Sequence, residues 1–257
     1  CKAVEIKTIL ENLTNCHIRF GFTGSLDDSK TNKIVLEGLF GPYKKIISTK
    51  ELMDANYLSK LNLKCIILEY SDEAKQSLSK ASYKEEIDWL ISNERRNKFI
   101  TNLALSLKGN TLILFQRVED HGLVLHRILE SKIRDQELYL VHGKIAKNDR
   151  EEIRKIINKS TNSITSASMG CFAEGINIPN LNNLIIAAPT KSKILIMQSL
   201  GRTLRKTETS NIANVFDIAD DLRWKSHKNY TLKHYVERIR YYSQEQFSFK
   251  QYKVGIK

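Results

Sequence analysis

Thr111-Leu-Ile-Leu-Phe-Gln116, an apolar run closed by a polar residue, is followed by an amphipathic pattern over residues 122–132 and a second apolar run, Leu138-Tyr-Leu-Val141. Apolar stretches this short, without alternation, read as strands covered on both faces. A helical period between two of them makes the strand–helix–strand unit of a parallel sheet. The same rhythm extends in both directions. Further strands are predicted over residues 18–22, 63–70, 163–167, 183–187 and 214–218, and helices over 4–12, 84–107, 147–158 and 194–205. Asn148, with Glu151 three residues later, is the expected N-cap signal of the helix over 147–158. The expected fold class is therefore α/β, a parallel sheet with helices on both faces.

The rhythm breaks between residues 71 and 97, a polar, charged span that reads as a connecting helix. Before it stand one strand-turn unit and a few short helical patterns, too little for an independent α/β domain. After it comes a nearly complete one. The expected organisation is the end of one domain over 1–62, a whole domain over 63–225 that includes the connecting helix 71–97, and a basic aromatic C-terminal helix or tail over 226–257.

The chain of 257 residues carries 41 Lys and Arg against 29 Asp and Glu, a net charge of +12. With 41% hydrophobic residues, three prolines and 11 glycines it is neither disordered nor collagen-like. Its apolar runs are too short to cross a bilayer, so no membrane partner is expected. Cys1, Cys16, Cys65 and Cys171 are scattered without a C-x-x-C pair, which argues against a zinc site or a disulfide framework. No metal site is expected.

The charge is uneven. Residues 221–257 hold nine Lys and Arg against three Asp and Glu, an excess of six that is half the net charge, together with Trp224, Tyr230, Tyr235, Tyr241, Tyr242, Phe247, Phe249 and Tyr252. Basic groups neutralise phosphates and aromatic faces stack on exposed bases, a mixture that suits single-stranded or branched nucleic acid. A second reading stays open: Tyr235, Ile239, Tyr242 and Gln246 recur at helical spacing and would pack a terminal helix onto the domain.

No phosphate-cradling G-x-x-x-x-G-K-[ST] loop is present. Gly170 to Gly175 is followed by Ile176 and Asn177, not by a lysine, and no Asp-Glu pair follows a strand in a way that would hold Mg²⁺. The chain is not expected to hydrolyse ATP by itself. Gln198-Ser-Leu-Gly-Arg-Thr-Leu-Arg205 places Gln198, Arg202 and Arg205 on one helix face, where two guanidinium groups beside an amide could clamp a phosphate. Gly201 would admit another backbone close by. A solvated basic face is the competing reading of the same spacing.

Upstream, Ser166-Ala-Ser-Met-Gly-Cys-Phe-Ala-Glu-Gly-Ile-Asn-Ile-Pro-Asn180 follows a strand, as a ligand loop at the carboxyl end of a parallel sheet does. His142 reads as a packed strand-end histidine, since no carboxylate partner is evident. Lys144 reads either as a strand contact or as a solvated loop lysine.

The order Phe22-Thr-Gly-Ser-Leu26, Leu112-Ile-Leu-Phe115, His142-Gly143, Ala173-Glu-Gly-Ile-Asn-Ile-Pro179 and Gln198-x-x-Gly-Arg-x-x-Arg205 resembles the superfamily 2 helicases over most of the chain. Thr23-Gly24-Ser25 looks like motif III, residues 112–116 motif IV, 166–179 motif V and 198–205 motif VI. The resemblance implies RecA-like lobes, with the end of the first and the whole of the second in this chain. The phosphate loop and DExH box would then lie before Cys1, in an N-terminal RecA-like domain that acts as partner.

In such proteins ATP and Mg²⁺ sit between the lobes. The resemblance implies that Arg202 and Arg205 act as arginine fingers and Gln198 reads the γ-phosphate, with Gly175, Asn177 and Gly201 at the nucleotide. Relatives carry Asp where this chain has Asn177, so a ribose contact there would lack charge. Thr23, Gly24 and Ser25 would couple hydrolysis to lobe movement. Gln116, Arg117, Gly143, Lys144, Ser166 and Ser168 would touch the tracked strand. The expected function is an ATP-dependent helicase or translocase on DNA, branched or single-stranded, or on RNA–DNA hybrids, in recombination, repair and replication. The phage-like character of the motifs implies the cytoplasm of a bacterial host. The alternative is a non-catalytic nucleic-acid-binding module that kept a RecA-like domain.

Overall fold

The computed structural model describes residues 4–22, 30–173, 180–204 and 212–256. The chain divides into two compact units, Cys1–Ser48 and Thr49–Lys257.

The first unit contains α1 (Val4–Asn12), as expected, and α2 (Lys30–Phe40). Residues 18–22 were expected as a strand and are not one. An extended segment needs a neighbouring strand for its N–H and C=O groups, and the described residues of this unit supply only helices. Arg19 instead folds back, Nη2 donating to the Leu13 carbonyl at 2.6 Å and Nε to the Cys16 carbonyl at 3.1 Å.

The second unit runs α3 (Thr49–Asp54), β1 (Lys60–Glu69), α4 (Asp72–Ser77), α5 (Tyr83–Ser92), α6 (Glu94–Ser106) and β2 (Thr111–Phe115). A π-helical turn, Val118–Gly122, leads into α7 (Leu123–Glu130), β3 (Glu137–Val141), α8 (Lys147–Lys159), β4 (Ser163–Ser168) and α9 (Met169–Ala173). The chain then continues through β5 (Asn183–Ile186), α10 (Lys193–Thr203), β6 (Ile212–Asp221), α11 (Tyr230–Gln244) and β7 (Phe249–Gly255). The seven strands form one sheet in the order β3-β4-β2-β5-β6-β1-β7. Every pairing is parallel.

Side chains alternate across the sheet and both faces are covered, which accounts for the apolar runs. Leu63, Cys65, Leu112, Leu114, Leu184 and Val215 pack against Ile157 of α8, Ile196 and Leu200 of α10 and Leu232 of α11. Their neighbours Ile66, Leu68, Ile113, Ile164, Ile185 and Ile218 pack on the other side against Leu90 of α5, Ile100 of α6 and Leu125 and Leu129 of α7. The expected α/β class holds.

Several expectations change in detail. The helix over 84–107 is two helices: Asn93 ends α5 and caps α6, its side chain accepting from the Arg96 N–H at 2.9 Å. Asn side chains compete with helical backbone bonds, hence the break. Residues 71–97 hold α4, α5 and the start of α6 in place of a single connecting helix. At α8 the N-cap is Ala146, with no side-chain cap, so Asn148 lies inside the helix. Residue 62 falls within β1, and residues beyond 226 supply α11 and β7 to this same unit.

The terminal aromatics divide: Tyr235, Tyr242 and Phe247 are core, and Ile239 packs beside them. The packing reading is the right one for Tyr235, Ile239 and Tyr242, whereas Gln246 lies beyond α11 and is exposed.

Candidate functional site

Parallel strands deliver their carboxyl ends to one edge, and the register places three of them level. Phe115 of β2 lies beside Ser168 of β4, and Val141 of β3 beside Ala167. The residues that follow are the ones singled out from sequence. Gln116 is exposed after β2, and Arg117 is half-buried, ion-paired with Asp88 of α5. After β3 come Gly143 and Lys144, both exposed. A Cβ at Gly143 would meet only Cys171 Sγ, at 3.7 Å, which leaves the backbone open to a ligand.

Lys144 Nζ lies 2.5 Å from Glu119 Oε1. By that hydrogen bond and by its charge, Lys144 holds the Glu119 carboxyl below the usual carboxylate range. Arg117 and Lys144 are thus donors held in place by carboxylates that a phosphodiester could displace.

The two serines of this region behave differently. Ser166 is fully buried between β2 and β3, its hydroxyl enclosed without a hydrogen-bond partner among the described residues. It cannot reach a strand on the surface, because its place in the ladder is central. Ser168 is the last residue of β4 and keeps 8% exposure, so of the pair it alone stands at the edge. His142 is half-buried, its Nδ1 without a hydrogen-bond partner among the described residues.

The helix over 194–205 is α10. Ser192 caps it, accepting from the Leu195 N–H at 3.4 Å, and Ser199, Leu200, Thr203 and Leu204 turn inward. Gln198 and Arg202, one turn apart, are half-buried on the remaining face, as the spacing predicts. Gly201 is exposed, and a Cβ there would meet nothing within 4 Å, so no backbone of the described residues makes the expected close approach. Arg205, Gly175, Asn177 and Thr23, Gly24 and Ser25 lie outside the described residues. Among the described residues no group of three His, Cys, Asp or Glu could hold a metal ion.

The sequence reading missed what braces this edge. Arg238 of α11 is buried with Asp217 of β6, Nε donating at 3.0 and 2.9 Å, while its Nη1 donates to the Thr190 carbonyl at 2.8 Å in the loop before α10. Tyr242 donates to the same Asp217 at 2.9 Å. Glu86 of α5 accepts from the N–H groups of Tyr230 and Thr231, at 2.8 and 2.7 Å, and so caps α11 from another helix. The available signal was the acids of Asp217-Ile-Ala-Asp-Asp221 inside an apolar strand, since a buried carboxylate requires a cation.

Residues 94–207 match the helicase conserved C-terminal domain. The chain is 33% identical over 257 residues to the ATP-dependent DNA helicase uvsW of Enterobacteria phage T4, covering 95% of this chain and 51% of the relative. A shorter match, 34% over 74 residues, links it to the putative ATP-dependent helicase IRC3 of Saccharomyces cerevisiae, covering 27% of this chain and 11% of that protein. The crystal structure of T4 UvsW superposes with a TM-score of 0.68 at 29% identity, covering 98% of this chain and 51% of the other. The chain therefore spans about half the length of its phage relative. A DNA-bound type ISP restriction-modification enzyme, LlaBIII, shares the fold at a TM-score of 0.56 and 17% identity, covering 85% of this chain and 17% of that one.

Proposed function

With a helicase conserved C-terminal domain and kinship to a phage helicase along nearly its whole length, the chain belongs to the superfamily 2 helicases, and from that premise we propose that it acts as the C-terminal RecA-like motor lobe of an ATP-dependent DNA helicase. Gln198 and Arg202, one turn apart on the outward face of α10, carry this reading. A guanidinium and an amide so placed can bind a polyphosphate presented by a facing lobe, and by the family resemblance Arg205 would add a second guanidinium. ATP, when bound, supplies the free energy of hydrolysis. Mg²⁺ would come with the nucleotide and the facing lobe.

Gln116, Arg117, Gly143, Lys144 and Ser168 hold the backbone of the tracked strand, and lobe closure and opening move it stepwise. The substrate is branched or single-stranded DNA, in recombination and repair, with RNA–DNA hybrids as a further substrate, inside the bacterial host.

The test is ATP turnover. A protein that joins these residues to the phosphate-binding lobe should hydrolyse ATP under stimulation by single-stranded DNA, with turnover abolished by Arg202→Ala or Arg205→Ala. The 257 residues alone should show negligible turnover. Robust turnover by them alone, or full activity in both variants, overturns the reading. DNA binding indifferent to both substitutions, with no turnover in the joined protein, would favour a non-catalytic module.

A further inference from the structure

Tyr83 and Tyr230 are the first residues of α5 and α11, two helices that reach the carboxyl side of the sheet from distant parts of the sequence. Their rings meet edge to face, centroids 5.9 Å apart at 72°. His234, one turn beyond Tyr230, lies 5.4 Å from Tyr83 at 58°. The tyrosines keep 40% and 37% exposure, unlike the buried Tyr235 and Tyr242 of the same α11. Lys233 Nζ rests over the Tyr230 ring, 5.2 Å from its centroid, and Lys84, Lys191 and Lys228 are exposed nearby in sequence or in charge contact.

We propose that Tyr83, Tyr230 and His234 form a stacking platform for an unpaired base of single-stranded DNA, with Lys233 leaving the Tyr230 face to meet the adjoining phosphate. Three features support it. Aromatic faces accept any base, whereas a duplex exposes none, so the occupant is a single strand. The platform is rigid before binding: Glu86 fixes the Tyr230 and Thr231 N–H groups, and His234 Nδ1 donates to the Pro189 carbonyl at 3.2 Å. Burial, with Lys191 and Arg238 adding to it, lowers the His234 pKa, so the ring stays neutral and flat-stacking at neutral pH.

The nearby carboxylates are engaged. Glu85 caps the Ser82 N–H at 2.7 Å, Glu86 caps α11, and Asp88 pairs with Arg117. Through that last pair, α5 ties the platform to the edge proposed above to hold the strand. The inference rests on that reading and extends the strand's path to the β6 and β1 side of the sheet.

The probe is an oligothymidylate carrying one 5-iododeoxyuridine, bound to the 257-residue chain and cross-linked with near-ultraviolet light. Peptide mapping should place the adduct on Tyr83, Tyr230 or His234. By anisotropy, Tyr83→Ser and Tyr230→Ser should each weaken binding about tenfold, and the corresponding Phe variants should bind as the unaltered chain does. Binding of the oligonucleotide with every adduct elsewhere overturns the platform and leaves the helicase reading intact. No binding by the unaltered chain removes the nucleic-acid edge itself. If a serine variant fails to fold, the adduct map on the unaltered chain still decides.

Discussion

Arg96 and Asp220, 124 residues apart in the chain, face each other in the interior with neither side chain exposed. Arg96 Nε donates to Oδ1 at 2.8 Å and Nη2 to Oδ2 at 3.1 Å, while Nη2 also reaches the Ala187 carbonyl at 2.9 Å and Tyr70 donates to Oδ1 at 2.7 Å. One residue of α6 thus ties together the carboxyl ends of β1, β5 and β6, and β5 leads on to α10 of the candidate site. Arg96→Met would leave a buried carboxylate without its cation, at a cost of about 3–5 kcal/mol. Adding Asp220→Leu should recover most of that loss. Urea unfolding of the singles and the double measures the coupling, and additive losses would deny the pair its role.

The histidine beside this pair gives the fold a pH dependence. His121 is fully enclosed, and burial, reinforced by the charge of Arg96, pushes its imidazole down to about 3. An unfolded chain binds that proton near pH ~6.5, so below this value the unfolded state gains a proton that the folded state refuses. Stability therefore falls with pH from about 6.5 toward about 3. Near pH 5 the loss from this residue is about 2 kcal/mol. Neither ring nitrogen has a hydrogen-bond partner among the described residues, so His121→Leu sacrifices no bond seen there. Its unfolding free energy, compared at about pH 5 and pH 8, should vary less than that of the unaltered chain, and an equal variation would exclude His121.

Glu86 predicts a different kind of loss. The N-cap residue of α11, Asn229, makes no capping bond of its own; its Nδ2 instead donates to Glu86 Oε1 at 2.9 Å. Glu86→Ala would orphan the Tyr230 and Thr231 N–H groups together and cost about 1–3 kcal/mol. Hydrogen exchange should speed up at those two amides first. Unchanged protection there would mean that the first turn of α11 is held by packing alone.

These braces also mark where the sequence stopped being informative. The strands β2 and β5 were legible because burial on both faces leaves uninterrupted apolar runs, and β6 although Asp217 interrupts its run. β7 was not, because an edge strand with Lys250, Gln251 and Lys253 reads like any solvated tail. Glu94-Arg-Arg-Asn-Lys98 reads as a charged helix surface, yet Arg96 within it is fully buried, since its partner is supplied by β6. The Gln198–Arg202 face was legible because helical period alone sets it. The carboxylates that hold Arg117 and Lys144 were not, because Asp88 and Glu119 reach them only through the fold.

The last of those pairs can be tested against its proposed ligand. Lys144 and Glu119 are both well exposed, so their contact contributes little to stability and can be exchanged for a phosphate. Lys144→Ala should weaken single-stranded DNA binding and reduce the slope of log K against log salt by about one. Glu119→Gln should act in the opposite direction, freeing the ammonium and tightening binding while leaving the slope's origin in Lys144 intact. Acidification mimics it only late: the carboxyl is held below its usual range, so the pair persists at mildly acidic pH and gives way as pH falls through the lowered value. Equal salt slopes for the unaltered chain and Lys144→Ala would assign this lysine to the solvated surface and remove it from the strand's path.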